Sequence, residues 1–560
     1  MMNFSRDPNL AEQQMNAVIF YMVAFGYIDG DFDQSERVYI KDTIRKMVES
    51  RASTVLSDQN PAKTNIINRF TKHFNETFEQ TDQMIVSWQS EVVAKDENNQ
   101  EFVLAKLRLK SFEIFKKFDL KNQRALLATV DELIRADGKI HPEEKKFRDE
   151  IELLLLETKD DVDIPVNFEA NNIAIEHMGT LLSTQDDHPF FDSEEHYSIE
   201  PTKIRTQSQL DKDLICNVMD LIAAKQQRGK GKLTGKKSVG ELKETSAFWD
   251  QHVIWQPIKK NTNYECIVLG DLHGCYSCLK AALLQSNFFS KVEAYKNDPI
   301  NNPNPQLILL GDYIDRGRFS YNGVLRTVMQ LFLAAPEHVI PLRGNHEYYV
   351  EFKGRIYGGV KPAEAINSLV GHMPDSMFVL YMKLFESLPN ALLFGQHLFV
   401  HAGIPRDSAI KSRWKDLSSL NDPGIRFQML WSDPAEVDRV PDELQAQNAR
   451  FPFGKKQFES FMNLLGTHSM IRGHEKHLEG FKTTYNDSPY KLLNIFSSGG
   501  EFNEDVPKDS SYRNVTPMAL TMHVNRDETR VLPWKIDYQR FNSPKRNRFF
   551  ASPPEIMHKA

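Results

Sequence analysis

The stretch Cys266–Gly274 reads CIVLGDLHG, an apolar run of buried-strand character stopped by Gly270 and followed at once by Asp271 and His273. The same pattern recurs downstream. LILLG at Leu307–Gly311 leads into GDYIDRG at Gly311–Gly317, HVIPL at His338–Leu342 into RGNHE at Arg343–Glu347, and HLFVH at His397–His401 into VHAG at Val400–Gly403. Helix-like stretches, CLKAALLQ at Cys278–Gln285 and VLRTVMQLFLA at Val324–Ala334, separate the first three runs. This β-α-β-α-β order predicts a mostly parallel sheet with helices on its faces. Sites in such sheets form at the carboxyl ends of the strands, and the polar residues of every motif fall there.

Those residues are of one chemical kind. Asp271 and His273 lie two apart at a strand end, so both side chains can face one site, and Asp312 ends the neighbouring strand. Asn345, His401 and His474, the last in SMIRGHEKH at Ser469–His477, add further oxygen and imidazole ligands. Asp, His and Asn together suit hard or borderline divalent cations. A carboxylate shared by two cations about 3.5–4 Å apart is the arrangement that clamps a phosphoryl group and lowers the pKa of a bridging water. The expectation is a two-metal phosphoester hydrolase.

Further segments narrow it. RIYG at Arg355–Gly358, FESLPN at Phe385–Asn390 and LWSDP at Leu430–Pro434 follow the metal motifs in order. Together they resemble the PPP family of protein phosphatases within the calcineurin-like metallophosphoesterase superfamily, over about residues 264–500. The resemblance implies a layered α/β (α+β) metallophosphoesterase sandwich spanning 261–540. It implies that Asp271, His273 and Asp312 bind one metal and that Asp312, Asn345, His401 and His474 bind the other. The metals are expected to be manganese, with iron or zinc as alternatives. A hydroxide bridging them attacks phosphorus in phosphoserine or phosphothreonine of a phosphoprotein substrate. His346 is then the general acid, oriented and kept cationic by Asp315, and Arg316 grips phosphate oxygens through its planar fork. Arg450 in NARF is the best match to the family's second phosphate arginine, with Arg439 as fallback. Alternatives are a dinucleoside polyphosphate hydrolase of the diadenosine tetraphosphatase type, which shares three of the motifs, and a phosphotyrosine phosphatase. A non-enzymatic scaffold is disfavoured because every ligand type is in place. His397, His468 and His477 read as surface or packed residues with no part in the site.

Two departures stand out. IFSSGGEF at Ile495–Phe502 replaces the SAPNYC-type loop of eukaryotic members, so the tyrosine expected there is missing. HAGIP at His401–Pro405 resembles bacterial members, which implies a prokaryotic source. Cys275 and Cys278 form a CYSC pair with no second pair for a structural zinc, so packing is expected and a redox role is the alternative.

Outside this region the pattern changes. Residues 1–158 are helical by periodicity, as in AVIFYMVAF, ERVYIKDTIRKMV and ALLATVDELIRA. FGYIDGDFDQSERVYIKDTI at Phe25–Ile44 echoes ELIRADGKIHPEEKKFRDEI at Glu132–Ile151, each helix, acidic turn, helix. An EF-hand is excluded, because Gln34 and Ile40 stand where that loop needs Gly and Glu. The pattern resembles TerB-like all-helical domains, which implies a regulatory or targeting partner and no catalysis. Residues 159–260 read as a connector with an amphipathic helix at Leu210–Gln227 and the basic run RGKGKLTGKK at Arg228–Lys237, and 541–560 as a tail. A net charge of −7 gives no reason to expect nucleic acid, and four cysteines in 560 residues argue against a disulfide framework. With no signal-like start and no apolar run long enough for a transmembrane segment, a cytoplasmic enzyme is expected.

Overall fold

The computed structural model describes residues 4–5, 7–28, 32–57, 60–134, 142–156, 172–179, 181, 187–193 and 201–550. The chain divides into two compact units, Met1–Asp163 with Ala435–Asn448, and Ile164–Pro434 with Ala449–Ala560.

The first unit is built on helices Pro8–Ile28, Gln34–Val55, Lys63–Gln89, Asn99–Lys116, Leu120–Ile134 and Pro142–Leu156. Pro8–Ile28 is apolar nearly all round and correspondingly buried, with Val18, Ile19, Val23 and Ala24 hidden from solvent. No helix among the described residues is long and apolar enough to cross a membrane. The start of Gln34–Val55 is fixed by a capping box. Asp33 accepts the N–H groups of Ser35 and Glu36 at 2.7 and 3.0 Å, and Glu36 accepts the Asp33 N–H at 2.9 Å. Glu36 of the sequence echo is therefore a helix cap, whereas Asp29, Gly30, Asp137 and Gly138 lie outside the described residues. Asp82 ties three helices, accepting Tyr27 Oη at 2.6 Å and Arg37 Nη2 at 2.9 Å. Ala435–Asn448 joins this unit from far along the chain. Val437, Val440 and Leu444 share the apolar core with Phe78, Leu107 and Phe112, and the Glu436 N–H donates to Glu113 Oε1 at 3.0 Å.

The second unit holds two mixed sheets. The six-stranded sheet runs Asn172–Ile175, Glu528–Lys535, Met518–Val524, Tyr264–Leu269, Asn304–Leu309, Val339–Pro341. Its last three strands are the parallel β-α-β-α-β core expected from sequence, but Met518–Val524 extends it antiparallel. The seven-stranded sheet runs Phe481–Thr484, Lys491–Ile495, Ser469–Arg472, His397–Val400, Ala391–Phe394, Val253–Gln256, Phe248–Asp250. Tyr264 and Phe394 meet edge to face between the sheets, with ring centres 5.1 Å apart. His397 bridges Ser469 Oγ at 2.7 Å and Thr529 Oγ1 at 3.0 Å, and burial depresses it to about 4, so it stays neutral.

The described parts of residues 164–260 are built into this unit. Asn172–Ile175 pairs with Glu528–Lys535, Pro201–Gly229 contains the expected amphipathic helix, and two strands edge the second sheet. The basic run is tied down: Asp250 accepts the N–H groups of Gly231 and Leu233 at 2.9 and 2.8 Å, and Leu233 is fully buried. Residues up to Phe550 also pack in, Phe549 lying 4.8 Å from both Tyr276 and Phe319 by ring centres.

Candidate active site

The motif residues leave the carboxyl ends of strands from both sheets: Asp271 after Tyr264–Leu269, Asp312 after Asn304–Leu309, Asn345 and His346 after Val339–Pro341, His401 after His397–Val400, and His474 after Ser469–Arg472. The sheets are joined at this edge by a parallel bridge between Asp271 and Phe496 and by the Gly270 N–H donating to Ser497 Oγ at 2.8 Å. Tight turns follow each strand. His273, Asp312, Asp315, Arg316 and His474 all have positive φ, a costly backbone region for residues with a Cβ and one that gathers at functional sites. Two glycines make the close approach feasible: a Cβ on Gly344 would meet the Asp312 N at 2.2 Å, and one on Gly473 would meet Asp271 Oδ1 at 2.2 Å.

The side chains converge as two groups sharing Asp312: His273, Asp312 and His346, and Asp312, His401 and His474. His273 Nε2 lies 3.7 Å from Asp271 Oδ2 and 3.5 Å from Asp312 Oδ2, while His401 Nε2 lies 3.4 Å from Asp312 Oδ1. Each of these rings is oriented through its other nitrogen. His273 Nδ1 bonds the Ile314 carbonyl and His401 Nδ1 the Leu310 carbonyl, both at 3.0 Å, which frees each Nε2 for a ligand. Asn345 Oδ1 points at His401 Nε2 (2.8 Å) and His474 Nδ1 (3.2 Å), and lies within 3.3 Å of both Asp312 oxygens. A carboxylate, two imidazoles and an amide gathered this closely form a donor set that fits divalent metals, whichever way the amide is turned.

The electrostatics agree. Burial and then the charge of Asp312 push Asp271 up to about 7. Burial works against the Asp312 carboxylate, but His401 and His346 outweigh it and hold it well below the usual range. His346 is desolvated, yet Asp312 and its hydrogen bond to Asp315 raise it, favouring the imidazolium. That bond, His346 Nδ1 to Asp315 Oδ2, is 2.6 Å long, and His346 Nε2 faces Asp312 Oδ2 at 3.9 Å.

Arg316 is nearly buried and pairs with Glu364. Arg450 Nε donates to Asp433 Oδ2 at 2.6 Å, and the same carboxylate holds Arg472 Nη2 at 2.6 Å and faces His474 Nε2 at 3.8 Å. Arg439 falls in the first unit. Of the histidines read as surface or packed residues, His397 and His468 are buried. Cys275 and Cys278 are buried free thiols with sulfurs 3.2 Å apart, and burial raises Cys278, the opposite of a reactive thiolate.

Sequence reasoning passed over four residues. Glu347 closes the RGNHE motif and Asp433 lies in LWSDP, so both were quoted without a role. Tyr512, on the turn Ser511–Asn514, puts its ring 5.4 Å from His273, so a tyrosine reaches the site from beyond the loop that lacks one. Glu364 carried no local signal.

Residues 265–477 match the family model of the calcineurin-like phosphoesterases, and this part of the chain is a calcineurin-like metallophosphoesterase domain. Similar proteins include the serine/threonine-protein phosphatase 6 catalytic subunit of Caenorhabditis elegans, 30% identical over 239 residues, 41% of this chain and 63% of that one. Serine/threonine-protein phosphatase T of Aspergillus oryzae is 25% identical over 258 residues, 45% of this chain and 48% of that one. The chain thus spans about half to two thirds of these relatives' lengths. A solved serine/threonine phosphatase of Saccharomyces cerevisiae, described as similar to human phosphatase PP5, aligns at 17% identity and TM-score 0.35, covering 58% of this chain and 89% of that one.

Proposed function

We propose that the second unit is a metal-dependent phosphoprotein phosphatase acting on phosphoserine and phosphothreonine. Asp271, His273 and Asp312 would hold one divalent cation, and Asp312, Asn345, His401 and His474 a second, with manganese the expected metal. Bound there, the pair supplies Lewis acidity toward phosphate oxygens and an activated water.

The protein's own groups do the rest. Arg316 and Arg450 orient the phosphate through guanidinium N–H donors. His346 delivers its Nε2 proton to the departing serine or threonine oxygen, a poor leaving group as a bare alkoxide. Asp315 fixes the ring by its Nδ1 and stabilises the cationic form. The observation that carries this reading is the 2.6 Å His346–Asp315 pair placed beside His/Asp groups that share Asp312. The helical unit is read as a regulatory or targeting module for a protein partner.

The test is a Mn²⁺ assay of a phosphoserine peptide, a phosphotyrosine peptide and a dinucleoside polyphosphate, with wild type and His346→Ala. Preference for the phosphoserine peptide, lost in His346→Ala, supports the reading. Preference for either of the others redirects the substrate class, and wild-type rates in His346→Ala remove the acid assignment.

A further inference from the structure

Asp315 and Arg316 are consecutive residues in the left-handed region, with φ of 68° and 65°. Side chains held on such a backbone need outside contacts to define them. One short segment supplies contacts to both. The Ala365 N–H donates to Asp315 Oδ1 at 2.7 Å, and the preceding residue, Glu364, accepts a hydrogen bond from Arg316 Nη1 through Oε1. The segment therefore grips the residue that orients His346 and the residue that meets phosphate.

The pair is incompletely satisfied. Arg316 Nη2 and Glu364 Oε2 are both buried with no hydrogen-bond partner. An unpaired buried guanidinium donor awaits an acceptor, and it lies where His273 and His346 both feel the Arg316 charge. The carboxylate beside it has the opposite effect on a phosphate dianion. It fixes the fork through one oxygen, while its charge offsets part of the cation that phosphate meets.

We propose that Glu364 is the positioning residue of Arg316, orienting its guanidinium toward the substrate phosphate and moderating its hold so that product phosphate is released. This rests on Arg316 being a phosphate ligand. Charge and hydrogen-bond acceptance can be separated by substitution: glutamine keeps the acceptor and loses the charge, and alanine loses both.

The experiment measures KM for a phosphoserine peptide and Ki for inorganic phosphate in the Mn²⁺-loaded full chain. The variants are Glu364→Gln, Glu364→Ala and Arg316→Ala, with melting temperature and metal content as folding controls. Loss of a charge-assisted hydrogen bond predicts KM up about tenfold in Glu364→Ala. Glu364→Gln restores KM toward wild type and lowers Ki for phosphate several-fold below it. Equal KM and Ki in the Gln and Ala variants, or wild-type values in both, overturn the proposal while an impaired Arg316→Ala leaves Arg316 as ligand. Wild-type KM and Ki in Arg316→Ala instead remove the underlying assignment.

Discussion

Glu347 and Asp312 hold each other's loops in place. The Glu347 carboxylate accepts the N–H groups of Asp312 and Gly344 on Oε2 at 2.7 and 3.1 Å, and that of Tyr313 on Oε1 at 2.8 Å. In return Asp312 Oδ1 accepts the N–H of His346, Glu347's neighbour, at 3.0 Å. The carboxylate shared by the two His/Asp groups is therefore set by backbone, through an acid that belongs to neither group. Glu347→Gln puts an NH₂ against backbone donors. It should cost about 2–4 kcal/mol in chemical denaturation and reduce bound metal; unchanged stability and metal content would sink this account.

Asp312→Asn tests the shared ligand itself. An amide keeps the shape but loses the negative charge that both groups use. Metal analysis after desalting should show both cations weakened together, with activity lost. Loss of one cation alone would mean that Asp312 serves a single site.

Asp315→Asn should move the pH profile. His346 is raised by Asp312 and by Asp315, and the proposed reaction uses its protonated form. Removing the Asp315 charge lowers the His346 pKa, so the proton is lost at a lower pH. The basic limb of kcat/KM should shift to lower pH, while the acidic limb stays; a fixed basic limb would detach it from this pair.

His397 gives a stability signature. Its folded pKa of about 4 lies below the ordinary 6.5, so between those values the unfolded chain binds a proton that the folded one refuses. Stability is intact above about 6.5 and falls with pH through this window, by on the order of 3 kcal/mol from this group. Denaturation midpoints at pH 7 and 5 should converge in His397→Gln relative to wild type.

The parts of the site that could be read from sequence share one property: they are local. Asp271, His273, Asp312, Asn345 and His401 each follow their own strand within a few residues, so strand and candidate ligand appear in one string. Glu364 reaches Arg316 across 48 positions, and Asp433 reaches Arg472 across 39. No short motif encodes such pairs. The second sheet was hidden similarly, because Val253–Gln256 and Ala391–Phe394 pair in parallel although far apart in sequence. The acidic turn was legible for the same reason: Gln34 and Ile40 exclude a cation loop within one short string, and Asp33 and Glu36 satisfy a helix start.

The excursion Ala435–Asn448 makes the helical unit discontinuous in sequence, one part at the beginning and one splinter taken from between LWSDP and NARF. Such a unit cannot be gained or lost by a single splice at the terminus. Cutting away residues 1–158 would strip cover from Val437, Val440 and Leu444, exposing apolar surface worth about 25 cal/mol per Å². A shortened protein that aggregates or loses activity would be reporting that bared splinter, not the removal of a regulator. The informative shortened form also replaces 435–448 with a polar bridge between Pro434 and Ala449.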